Sequence, residues 1–105
     1  SITGAVTPPV FLGTKMAYSK KTKLRVKYAG QNLGAKLGRW AIHLDLSVMR
    51  ISELLGATRQ TVYNWMFGGT VTNAYRDRVK ELVEITMASD SADDAYNTAK
   101  ERFFN

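Results

Sequence analysis

SVMRISELLGATRQTVYNWMFGG, residues 47–69, decides how this chain folds. Two short helical periods lie in it with one glycine between them. Val48, Ile51 and Leu55 recur at the spacing that lines one side of a helix, and Val62, Trp65 and Met66 do so again after the break. Ser47 and Thr58 stand just ahead of the two periods, where a hydroxyl accepts from a free backbone N–H of the first turn. Gly56 closes the first period because it takes the left-handed conformation without a Cβ clash. Gly68-Gly69 stops the second. Ile51 and Leu55 must then meet Val62 and Trp65, and the small Ser52 lets the two helices approach where they cross. With that face buried, Arg59, Gln60, Thr61, Tyr63 and Asn64 of the second helix are left to solvent.

Outward from this pair, Leu33, Leu37, Trp40, Ala41 and Leu44 make an apolar stripe at helical spacing on the N-terminal side. On the C-terminal side Thr72 or Asn73 caps a helix of about 14 residues carrying Tyr75, Val79, Leu82 and Val83. After a polar break at Ser89-Asp90, Ser91 and Asp94 make a variant of the capping box, and Ala92, Ala95, Tyr96, Ala99 and Phe103 form the last stripe. Residues 1 to 14 are broken by Gly4, Pro8, Pro9 and Gly13 and read as irregular. Residues 15 to 32 are basic and polar, and Leu24-Arg-Val-Lys-Tyr28 alternates apolar with charged, which fits a short strand at 24–28 or an extended arm. The expected architecture is therefore all-α: a five-helix domain over residues 33–105, preceded by a basic, largely extended N-terminal arm over residues 1–32.

A length of 105 residues gives one small domain, and 45% apolar with 23% charged residues is the composition of an ordinary globular chain. The absence of cysteine excludes disulfides and thiolate metal sites and suits a reducing, cytoplasmic setting. No apolar run approaches the roughly 18 residues of a membrane span, and the opening residues, with Pro8-Pro9 and no basic start, make a poor signal peptide. His43 is the one histidine and has no triad or metal partner at useful spacing. Asp93-Asp94 is accounted for by the dipole at the start of a helix. Gly30, Gly34 and Gly38 are spaced like a phosphate loop but lack the Gly-Lys-Ser/Thr and the preceding strand. No nucleophile, base and oxyanion site assembles. The expectation is a non-enzyme with no cofactor, metal or small-molecule ligand. A core of this size is thin, and Tyr96, Phe103 and Phe104 near the C-terminus are the residues expected to mediate a homodimer.

Charge is distributed unevenly within the net +6. Residues 1–40 hold Lys15, Lys20, Lys21, Lys23, Arg25, Lys27, Lys36 and Arg39 and no acid, so the front carries +8 and the rest −2. Such a segment is either a solvated leader or a handle for a polyanion, which binds by releasing counterions condensed on phosphates. An acidic membrane would attract the same charge, but no amphipathic basic helix is evident there. Lys20, Lys21, Lys23, Arg25 and Lys27, with Thr70 beyond the Gly68-Gly69 stop, are assigned to a DNA backbone. Arg59 has the donors for guanine, and Gln60 and Asn64 have the amide pattern for adenine in the major groove. Thr58 and Thr61 can reach a phosphate or a thymine methyl.

The longer stretch LGAKLGRWAIHLDLSVMRISELLGATRQTVYNWMFGG, residues 33–69, resembles the Cro and lambda-repressor-like helix-turn-helix family. The matching features are Leu33-Gly34 opening a first helix, the Leu46-Ser47 entry, the Leu55-Gly56 turn, the Thr58-Arg59 start and Trp65 with Gly68 three residues on. The resemblance implies a double-stranded DNA-binding domain of the kind used by phage and bacterial repressors, usually as dimers on palindromic operators. Carried over by position, it implies base readout by Thr58, Arg59, Gln60, Tyr63 and Asn64. The chain departs from the family at Val48, where glutamine often contacts phosphate, and at Ser52, where alanine is usual. A sequence-specific transcription regulator, a repressor of phage or mobile-element type, is the leading expectation. A DNA-packaging or replication-origin recognition subunit, and a protein-interaction adaptor that no longer reads DNA, remain open beside it.

Overall fold

A computed structural model of the chain describes residues 18–104. These are all-helical, with six helices among the described residues: α1 Lys20–Lys27, α2 Leu33–Leu44, α3 Val48–Leu55, α4 Arg59–Met66, α5 Asn73–Ala88 and α6 Ala92–Phe104. The irregular run expected over residues 1–14, and Lys15, lie outside the described residues.

Helix starts are fixed by local hydrogen bonds. Ser19, Asn32, Ser47 and Thr58 cap α1 to α4, each accepting from the backbone N–H three residues on. Ser91 does the same for Asp94 at 3.1 Å. α5 is the exception: Thr72 occupies the cap position but makes no side-chain cap bond. α3 ends at Gly56, whose φ of 69° is left-handed, as its position after Leu55 required.

The strand expected at 24–28 is instead part of a helix. Ser19 Oγ accepts from Thr22 N at 3.2 Å and nucleates α1, and Lys20, Lys21, Lys23, Leu24, Arg25 and Lys27 have straight-chain side groups that keep rotamer freedom in a helix. The alternation of Leu24, Val26 and Tyr28 carried no pleat: Val26 is fully buried while Leu24 and Tyr28 are exposed. The extended arm is likewise corrected over the described residues, because α1 packs on α2 and Val26 belongs to the same core as residues 33–104.

α2 lies at the centre and packs against α1, α4 and α5, while α6 covers α5 and α3. Leu37, Leu46, Ile51, Leu54, Val62, Met66, Val79 and Leu82 fill the middle. Two glycines of α2 permit its close approach. A Cβ at Gly34 would lie 2.3 Å from Trp65 O, and one at Gly38 would lie 2.9 Å from Val26 Cγ1. The Gly34–Gly38 spacing thus serves helix packing.

Tyr18 ties the entry of α1 to the α2–α3 junction, donating its buried hydroxyl to the carbonyl of Leu46. Burial, and then the nearby Tyr63 and Asp45, push its phenol far above the ordinary value of 10.0. Folding therefore favours the neutral phenol, so its contribution is complete below about pH 10 and is lost as pH rises beyond the unfolded value. The urea midpoint of the native chain is expected to fall between pH 9 and 11. Tyr18→Phe is expected to fall less steeply over that interval, and to cost about 1–2 kcal/mol at neutral pH by leaving the Leu46 carbonyl without its donor. Equal slopes in the two proteins would remove Tyr18 as the source. Tyr96, pushed up by its hydrogen bond to Glu53, leaves a residual slope in both.

Candidate nucleic-acid interface

α4 turns Val62, Trp65 and Met66 into the core, and Trp65 packs on the Tyr75 ring of α5 with centroids 5.1 Å apart. At about 100° per residue, this leaves Gln60 and Asn64 as the outward crest, and both are exposed. Their side chains are joined, Gln60 Nε2 donating to Asn64 Oδ1 at 3.1 Å. Thr61 forms one flank of the crest. Tyr63 and Phe67 form the other, their rings stacked at 5.8 Å and 24°. Arg59, exposed at the first position of the helix, makes no ion pair among the described residues. The expected base-reading set is thus brought together on one helix. Thr58 stands apart in role, because its hydroxyl accepts from Thr61 N at 3.1 Å and lies 2.9 Å from Thr61 Oγ1, so it is first a cap.

The α1 cations do not form one patch. Val26 points inward, and the helical angle places Arg25 and Lys21 on one side of it and Lys23, Lys27 and Lys20 on the other. On the first side the Arg25 guanidinium lies over the Phe67 ring, 3.9 Å from its centroid. On the second, Lys23 and Lys27 line a shallow groove with Arg39 and Ile42 of α2. Phe67 went unread in the sequence. No local spacing links it to Arg25, and only the docking of α1 beside α4 brings them together. Asn32 fastens this arrangement, accepting from Ala35 N with Oδ1 at 3.0 Å and donating from Nδ2 to Gly68 O at 2.7 Å. Thr70 is exposed in the following loop, next to Val71, which is buried and anchors it.

No protein-family model, curated protein or solved structure matches the chain.

Residues 18–72, which build α1 to α4, hold nine basic and two acidic side chains; residues 73–104 hold five and seven. Positive charge is therefore concentrated on the half that presents the α4 crest. Val48, at the start of α3, is buried, so its side chain faces the core and offers nothing to a ligand. No helix among the described residues is long and apolar enough to cross a membrane. No group of His, Asp or Glu side chains among them is placed to hold a metal ion.

At the far end, the surface expected for self-association is mostly occupied within the chain. Phe103 is buried in the core, with the Arg78 guanidinium 5.0 Å from its ring centroid. Neighbouring residues on a helix point about 100° apart, so the burial of Phe103 leaves Phe104 facing water, 59% exposed. Tyr96 donates to Glu53 Oε1 at 2.6 Å and lies under the Arg50 guanidinium, which also pairs with Asp93 at 2.8 Å. These contacts tie α6 to α3. Of Tyr96, Phe103 and Phe104, only Phe104 keeps a largely open side chain.

Proposed function

We propose that this chain is a sequence-specific double-stranded DNA-binding regulator of the lambda-repressor-like kind, a repressor of phage or mobile-element type that places α4 in the major groove. One observation carries the reading. The outward crest of a short, well-capped helix bears Gln60 and Asn64, with Arg59 exposed beside it at the first position of the helix, and it stands on the strongly basic half of the molecule. The bond between Gln60 and Asn64 leaves Gln60 Oε1 as an acceptor and Asn64 Nδ2 as a donor. That is the pair of functions that adenine N6 and N7 require in the major groove. Arg59, the residue before Gln60 and about 100° round the helix from it, has the fork that matches guanine O6 and N7. α1 supplies phosphate contacts, which fix register without reading sequence.

Selection of duplexes from a random pool by the full chain tests this directly. A single enriched site is expected, and a palindromic winner would mark a homodimer by its half-site spacing. Gln60→Ala is expected to relax choice at one or two base pairs, costing about 1–3 kcal/mol at the affected position. A pool that remains random after repeated rounds would defeat the proposal.

A further inference from the structure

We infer that Arg25 is a positioning residue for base reading, acting through the three-layer stack Arg25–Phe67–Tyr63; the inference rests on the DNA-reading role proposed for α4. The stack crosses from α1 to the flank of the α4 crest. The Arg25 Cζ lies over the Phe67 ring, 3.9 Å from its centroid, and Phe67 in turn stacks on Tyr63. Tyr63 is half-buried one residue before Asn64, so the rotamer of its ring decides what the crest presents on that side. Phe67 is the C-cap of α4, its N–H donating to Tyr63 O at 2.9 Å, and its ring contacts side chains from two different helices, Arg25 of α1 and Tyr63 of α4.

Arginine suits this position for a reason that lysine does not share. Its planar cation stacks on an aromatic face and leaves its N–H donors around the edge. Arg25 is exposed and makes no hydrogen bond or ion pair among the described residues, so those edge donors are open. One side chain can therefore hold a phosphate with its edge and the Phe67–Tyr63 pair with its face. A phosphate contact from α1 is in this way mechanically joined to the reading flank of α4. Lys23 and Lys27, on the other side of α1, line the groove against α2.

Arg25→Lys separates the two tasks, since it keeps the charge and removes the flat stack. The measurement is affinity for the selected duplex and for a scrambled duplex of equal length, each at two salt concentrations, with thermal melting of every variant. Arg25→Lys is expected to bind the scrambled duplex with unchanged salt dependence and to lose about tenfold in preference for the selected one. Phe67→Leu, which removes the middle layer, is expected to lose preference similarly. In a Tyr63→Ala background, Arg25→Lys is expected to cause no further loss of preference, because residues acting in series are not additive. Unchanged preference in Arg25→Lys would overturn the inference, as would losses that multiply in the double variant. A native chain that prefers no duplex would overturn the DNA-reading proposal itself, before Arg25 is touched.

Discussion

Gly34→Ala is expected to lower the unfolding free energy by about 3 kcal/mol, the upper part of the range for overpacking a tight core. An alanine in place of glycine within a helix ordinarily stabilises by about 0.5–1 kcal/mol, because the unfolded chain loses freedom. Here the sign reverses. The added Cβ would lie 2.3 Å from Trp65 O, 2.8 Å from Trp65 C and 3.0 Å from Trp65 Cα. All three are backbone atoms of α4, so no rotamer change relieves the clash and the first turn of α2 must withdraw. Withdrawal uncovers Trp65, which is buried against Tyr75, and tilts the helix that presents Gln60 and Asn64. A domain with roughly 5–15 kcal/mol of stability survives that loss but with a displaced crest. Gly38→Ala is the internal comparison. Its Cβ would meet Val26 Cγ1 at 2.9 Å, where the α2–α1 contact can yield, and Met66 Cβ and Cα of α4 at 3.0 and 3.3 Å, a looser approach to α4 than the 2.3 Å at Gly34. Urea midpoints of the two variants are expected to fall in the order native, Gly38→Ala, Gly34→Ala. A Gly34→Ala protein as stable as the native one would mean that α2 and α4 do not approach so closely.

What the sequence disclosed divides along the range of the interactions. The caps at Ser47, Thr58 and Ser91 and the turn at Gly56 depend on residues within three or four positions, and the structure has each where the pattern put it. The buried set of α4 was legible for the same reason, because helical period alone selects Val62, Trp65 and Met66. Gly34 was visible as a glycine, yet its purpose lies 31 positions away at Trp65, and spacing among glycines cannot reveal that. α1 was misread because Leu24, Val26 and Tyr28 alternate while only one of them is covered; alternation signals a strand only when a surface exists to bury every second residue. Phe103 and Phe104 looked like one exposed aromatic pair, but a helix sends adjacent side chains in different directions and the core took the first. The crest of α4 was legible as a polar face. Its flank was not, since the Arg25–Phe67 contact joins residues 42 apart.

That flank changes what the basic segment is expected to do. An extended arm would let all five cations follow a DNA backbone, so Lys20, Lys21 and Lys23 removed together would weaken all duplexes and flatten the salt dependence in equal steps. A docked helix cannot treat them alike. Arg25 lies against Phe67 at the edge of the α4 crest, and Lys21 is one turn before it on the same side. Lys23 and Lys27 face the Arg39–Ile42 groove of α2. Each phosphate contact contributes about 0.9 to the slope of log K against log salt. The double change Lys21→Ala with Arg25→Ala is therefore expected to flatten the slope by about 1.8 on a scrambled duplex, equivalent to roughly 60-fold weaker binding near 0.1 M salt. Lys23→Ala with Lys27→Ala removes the same formal charge but is expected to change the slope by less than half as much. Equal slopes for the two doubles would mean that α1 serves only through its net charge. A larger effect from Lys23 and Lys27 would place the DNA against α2, and the α4 crest could not then be the surface that meets it.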